Sequence, residues 1–238
     1  KAIQEKNIKS NGKFFQMKKL SNMKYCTKSH SKNIEFLMTL KKKRNTFIEI
    51  LRGDSKFKGL FYQDNNMKKC IEAYPEIIFI DATYKLLDCR APVYFLVVLD
   101  ARGSTEIVAT GILVEETEEI FGWFIDTIKK HNPIIEINTR VFKTDKDLVE
   151  RNVLKNKFPN ANLQICLYHV LKSFAREIQM EKMNISSQEK QTSRLYLQNI
   201  AYSKNIAEYD FNKQRLKEHV GENVYNYFQN NLDFIQEE

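Results

Sequence analysis

Two aspartates stand where a carboxylate could do chemistry. Asp81 closes the apolar run Ile77-Ile78-Phe79-Ile80, and Asp145 follows Val141-Phe142-Lys143-Thr144, 64 positions later. A short continuous apolar run is what a strand covered on both faces looks like, and the polar residue at its end is the first that emerges from the sheet. A carboxylate there is an oxygen ligand of the kind that hard divalent ions take. An Asp after a strand more often serves a turn or a cap, and spacing alone does not choose between the two roles. Asp147 and Glu150 fall on the helix expected after Asp145 and read first as solvated surface, with capping or an accessory metal contact as the alternative. Asp88 and Asp100 read as turn residues.

A second pairing is Cys166-Leu167-Tyr168-His169. Two ligands are half of a tetrahedral zinc set, and the other half is not visible, so zinc is not expected within this chain. A packed pair at a strand-to-helix junction is the simpler reading. A cysteine nucleophile is conceivable, but side chains on adjoining turns of strand and helix need not converge. The four cysteines, Cys26, Cys70, Cys89 and Cys166, share no repeated spacing and form no Cys-x-x-Cys pair, which argues against a disulfide framework and for a reducing compartment. No Gly-x-Ser-x-Gly elbow, phosphate-cradling glycine loop or His-Glu-x-x-His helix is present.

The net charge of +8 is unevenly spread. Residues 1–75 hold 18 Lys and Arg against 6 Asp and Glu, and the remainder holds 20 against 24. The run Lys41-Lys42-Lys43-Arg44 suits phosphate neutralisation, and a solvated or nuclear-import segment is the equal alternative. No apolar stretch nears the roughly 20 residues that span a bilayer, so no membrane partner is expected.

The elements that must position these groups are legible from residue 57 onward. Residues 57–62 read as a strand, 67–74 as a helix stopped by Pro75, and 77–80, 92–99 and 106–114 as three strands joined by short turns, an antiparallel meander. Thr117 can cap a helix whose stripe is Ile120, Phe121, Phe124, Ile125 and Ile128, with Glu118 and Glu119 at the positive end of its dipole. Trp123 lies on or near that stripe and reads as core or as an anchor for a following domain. A fourth strand over 141–143 delivers Thr144 and Asp145. A helix with Leu148, Val149, Val153 and Leu154 on one face follows it, then a fifth strand over 163–167 and a helix opened by His169. Residues 45–52 show a short helical pattern, and residues 1–45 read as a partly ordered arm. Beyond Ile178 the chain reads as helices over 187–202, 206–220 and 224–235. The division expected is an N-terminal basic arm or small subdomain over 1–56, an α/β core over 57–180 and a helical insertion or appendage over 181–238.

Several blocks stand in one order: Asp81-Ala82-Thr83-Tyr84; Pro92 to Asp100 with Gly103; Leu113-Val114-Glu115-Glu116 with Phe121-Gly122-Trp123-Phe124; Thr144-Asp145-Lys146-Asp147; Phe158-Pro159-Asn160-Ala161; and Cys166 to His169 with Lys172-Ser173-Phe174. The ordered set resembles the RNase H-like core of Mutator-type (MULE) transposases, and its last blocks are most similar to the version in zinc-finger SWIM-domain (ZSWIM) proteins. The resemblance implies an RNase H-like fold, a five-stranded mixed sheet flanked by helices, with the strands of Asp81 and Asp145 side by side. It implies that these two match the family's metal-binding acids, which hold Mg²⁺ or Mn²⁺ for DNA phosphodiester cleavage and strand transfer, and that Cys166 and His169 match its Cys-x-x-His. The family's third acid, a Glu beyond a helical insertion, has no recognisable counterpart among Glu177, Glu208, Glu218 and Glu222. Two readings of activity follow. One is a DDE-type enzyme; the other, favoured by the ZSWIM likeness, is a transposase-derived domain that associates with DNA without cutting it. DNA is the partner implied, with protein partners or a second copy also possible, in an intracellular, nuclear setting.

Overall fold

Residues Thr46–Gly53 form a strand, not the helix that their spacing first suggested. The β-branched residues Thr46, Ile48 and Ile50 fit a pleated surface better than a helix, and the segment finds a partner at once. A tight turn with Asp54 at φ +50° folds strand β1 (Thr46–Gly53) onto β2 (Lys56–Asp64), from Thr46 opposite Asp64 to Gly53 opposite Lys56. Cross-strand pairing outweighed a local helical pattern too short to stand alone. The computed structural model describes residues 46–54, 56–86 and 91–231; Lys41, Lys42, Lys43, Arg44, Cys26, Asp88 and Cys89 lie outside them.

After β2 come helix α1 (Asn65–Ala73), the strands β3 (Ile77–Thr83), β4 (Val93–Leu99) and β5 (Thr105–Leu113), helix α2 (Glu118–His131), short helix α3 (Ile134–Asn138), β6 (Val141–Thr144), helix α4 (Leu148–Lys157) and β7 (Asn162–Ile165). The seven strands make one mixed sheet in the order β1-β2-β5-β4-β3-β6-β7. Within it, β5-β4-β3-β6-β7 is the RNase H-like five-strand set expected from the sequence, and the β1–β2 hairpin widens it at the β5 edge. The meander β3-β4-β5 is antiparallel, whereas β3 and β6 run parallel. A helical crossover is what a parallel return requires, and α2 and α3 supply it.

α2 starts where Thr117 accepts the Ile120 N–H on its hydroxyl. Its stripe lies in the main core, with Phe61, Ile78, Ile80, Tyr94, Leu96, Phe142 and Leu154. The opposite face of the sheet carries a smaller cluster of Ile48, Leu60, Tyr62, Met67, Val93, Phe95 and Ile112. Gly111 on β5 allows α2 close approach, since a Cβ there would stand 2.5 Å from a ring carbon of Phe124. Trp123 belongs to the main core as expected, half-buried across Gly59, where a Cβ would meet its ring at 2.9 Å.

The chain divides into two compact units between Leu163 and Gln164, within β7. The second unit is helical: α5 (Leu167–Glu177), α6 (Met180–Met183), α7 (Ser187–Ala201), α8 (Ile206–His219) and α9 (Glu222–Asn231). Three of these match the helices read from the sequence. Phe174, Ile178, Leu197, Ile200, Leu216, Val224 and Phe228 form its own core, and Ser186 and Glu189 close a capping box on α7. No helix of the described residues is long and apolar enough to cross a membrane.

Candidate functional site

The parallel register of β3 and β6 sets Ile77 beside Val141, Ile78 beside Phe142 and Phe79 beside Lys143, a constant offset of 64. That register ends there: Asp81 lies two residues further on within β3, paired with Phe95 of β4, and Asp145 follows the last residue of β6, so both fall toward the same end of neighbouring parallel strands. Both are half-buried. The loop after β6 is built from their neighbours' polar groups. Asp145 accepts the Asp147 N–H on its carboxylate at 2.7 Å, and the Thr144 hydroxyl donates to the Asp145 carbonyl at 2.8 Å. Asp147 caps α4 by accepting the Glu150 N–H at 3.0 Å, which settles it as a capping residue.

Glu150 is not on the surface where the sequence reading put it; it is 4% exposed. The buried side of α4 carries Glu150, Arg151, Val153 and Leu154, while Leu148, expected on the apolar face, is exposed. Glu150 precedes Val153 and Leu154 by three and four positions, so it shares their face of the helix. That spacing was the available signal, masked by the residue's charge. Burial, with the charges of Asp145 and Asp147 adding to it, pushes the Glu150 carboxyl up to about 8, so at neutral pH it is mostly protonated.

Two tyrosines complete this polar cluster. Tyr84 donates to Glu116 Oε1 at 2.5 Å, and buried Tyr94 donates to the same oxygen at 3.1 Å. The charge of Glu150 also acts on Tyr94. Desolvation first, then the surrounding acids, hold both tyrosines well above the ordinary phenol range. Arg151, 6% exposed, donates through Nη1 to Thr144 Oγ1 at 3.4 Å. Burial pulls its guanidinium down, and the Asp145 carboxylate opposes that shift.

The family of folds with such an acid pair implies divalent metal. Asp81 and Asp145 offer two oxygen donors, but among the described residues no three acidic, histidine or cysteine side chains converge to hold an ion. Arg151, close enough to Asp145 to feel its charge, further disfavours a second cation there.

Cys166 and His169 are in the helical unit. Cys166 is the N-cap residue of α5, and His169 lies in its first turn, its N–H donating to the Cys166 carbonyl at 2.9 Å. The neighbouring His169 holds the Cys166 thiol below the ordinary cysteine range.

With this geometry in place, comparison with known proteins is decisive on kinship. The family model of the RNaseH-like domain of zinc finger SWIM domain-containing protein 1/3 matches residues 35–164. The chain belongs to that family. The matched segment of this RNaseH-like domain takes in every described strand through β6 and both acid positions. A curated relative, the PKS-NRPS hybrid synthetase cheA of Chaetomium globosum, is 28% identical over 110 residues, which is 44% of this chain and 2% of that protein. The chain thus spans a very small fraction of that relative's length.

Proposed function

We propose that this RNaseH-like domain is a transposase-derived, DNA-associated module that retains the acid pair of its fold without cutting DNA. The observation that carries this reading is the neighbourhood of Asp145. Its carboxylate is held by the Asp147 N–H and lies within electrostatic reach of Arg151, and nearby Glu150 is buried as a neutral acid. A phosphoryl-transfer centre keeps its carboxylates ionised and directed at metal ions. Here Asp145 already has a backbone N–H and a nearby guanidinium as partners. Association with DNA is supported by the transposase resemblance and by the 18 basic against 6 acidic residues of the first 75.

The cutting experiment uses a labelled duplex with Mg²⁺ or Mn²⁺. No nicking above background is expected, and wild type, Asp81→Ala and Asp145→Ala should behave alike. Metal-dependent nicking that disappears in both variants would overturn the proposal. It would establish the second reading, an active DDE-type nuclease or transposase core, which the parallel pairing of the strands that carry or precede Asp81 and Asp145 favours.

Binding is tested separately, by titrating duplex DNA across a range of salt. Affinity is expected to fall linearly on a log–log plot, and replacing Lys41, Lys42, Lys43 and Arg44 together by Gln should reduce the slope by about 3 to 4, since each phosphate contact contributes about 0.9. A salt-independent affinity, or no binding at low salt, would defeat the DNA association.

A further inference from the structure

Helix α8 buries Asn212 and Leu216 within the helical unit, and Asn212 ties it to α7 by donating to the Asn199 carbonyl at 3.4 Å and to Ser203 Oγ at 3.1 Å. Another face of α8 is open. Glu208, Phe211, Arg215 and Glu218 recur at intervals of three, four and three, the spacing of a seam that packs on a second helix. All four are exposed, Phe211 at 62%. Single exposed apolar residues are ordinary, but Leu195 on α7 and Tyr202 at its C-cap are exposed as well, and such a group marks a contact surface. Arg215 is already set in place. Its guanidinium lies 5.8 Å from the Phe211 ring and 5.9 Å from the Tyr196 ring, and Nη2 donates to the Tyr196 hydroxyl at 3.4 Å. That bond goes to a neutral phenol, and Glu218 acts on Arg215 through space, so the guanidinium keeps donors for a carboxylate from outside.

We propose that this stripe is a self-association surface: a second copy of the chain lays its α8 antiparallel against α8 of the first, about a two-fold axis near Phe211. The order of charges along the stripe selects that occupant. Reversed about Phe211, Glu208 of each copy falls opposite Arg215 of the other, so one isologous contact yields two ion pairs with the phenyl rings between them. Nucleic acid fits the face less well. Two carboxylates flank its single arginine, and residues 164–238 hold 9 Lys and Arg against 10 Asp and Glu, too balanced to draw a phosphate backbone. Two helices of this length bury a modest area, so the dimer is weak, with a dissociation constant on the order of micromolar.

The test is sedimentation velocity of the whole chain, free of DNA, from the low to the high micromolar range. Wild type is expected to pass from monomer to dimer as concentration rises. Arg215→Glu alone and Glu208→Arg alone each set like charges opposite one another and should weaken self-association about tenfold or more. Mixed together, the two variants should regain a dimer made of one copy of each, because every facing pair is again opposite in sign. Phe211→Ser should also weaken association about tenfold. It lies outside the core of the helical unit, so it serves as the test should Glu208→Arg unsettle the start of α8, where Glu208 accepts the Lys204 N–H at 2.9 Å. Circular dichroism checks that each variant keeps its helices. A wild type that stays monomeric throughout, a dimer that the folded variants leave unchanged, or a mixture of folded charge variants that fails to regain it would overturn the proposal. None of these results bears on DNA cutting or on the salt dependence of DNA binding.

Discussion

Glu150→Gln is expected to stabilise the sheet unit at pH 8 by on the order of 3 kcal/mol and to leave its stability unchanged near pH 4. The sign follows from where the proton sits. The carboxyl titrates at about 8 in the folded chain and near its ordinary 4.5 when unfolded. Between those values the folded state keeps a proton that the unfolded state releases, so rising pH favours unfolding across this window. Below about pH 4 both states are protonated and the penalty is gone. Each unit of difference is worth about 1.4 kcal/mol, which sets a ceiling near 5 kcal/mol, and water penetration around a partly buried group lowers it. Glutamine has the same shape and no titratable proton. Trp123 is the sole tryptophan of the chain and lies in the sheet unit, so its fluorescence follows the unfolding of that unit. A rise in Tm of roughly 10 °C at pH 8 is expected, shrinking to nothing at pH 4. A difference that is constant with pH, or a loss of stability at pH 8, would show that Glu150 is ionised in its buried position.

That carboxyl also marks where reading the sequence failed. The strands that lead to Asp81 and Asp145 were legible because each is a short strand-like run that closes on a polar residue. The adjacency of those strands was not written in either run; it came from the order of strands and helices, which admits a parallel return between β3 and β6. Charge was taken as a sign of exposure at Glu150, but a helix turns by its backbone period whatever its side chains. Glu150 went inward because Val153 and Leu154 had to. The β1 strand was missed for the opposite reason. Its residues suit a strand, but its stability lies in the pairing with β2, a non-local contact that a short window does not contain. The sequence reading opened α5 at His169, but the helix begins at Leu167, and an element boundary is the least certain part of a sequence reading.

Phe124→Ala is expected to cost the sheet unit about 3 to 5 kcal/mol, enough to leave much of it unfolded at 37 °C. Phe124 is fully buried, with ring centroids 6.2 Å from Phe61, 6.0 Å from Tyr94 and 6.3 Å from Phe121, so its removal opens a cavity that three large neighbours border. The cavity also touches the polar cluster through Tyr94, whose hydroxyl anchors Glu116. Gly111 supplies a sharper test of the same contact. In the wild type, Gly111→Ala would push a methyl group to 2.5 Å from the Phe124 ring and should cost about 1 to 3 kcal/mol. Once Phe124 is alanine, that methyl group enters vacated space, and the conformational gain of replacing glycine in a strand, about 0.5 to 1 kcal/mol, becomes visible. Gly111→Ala should therefore change sign between the two backgrounds, destabilising the wild type and stabilising the Phe124→Ala protein, as measured by urea unfolding followed at Trp123. An equal effect in both would mean that the closeness of α2 to β5 does not depend on the missing Cβ, and the packing of the helix over the sheet would need another cause.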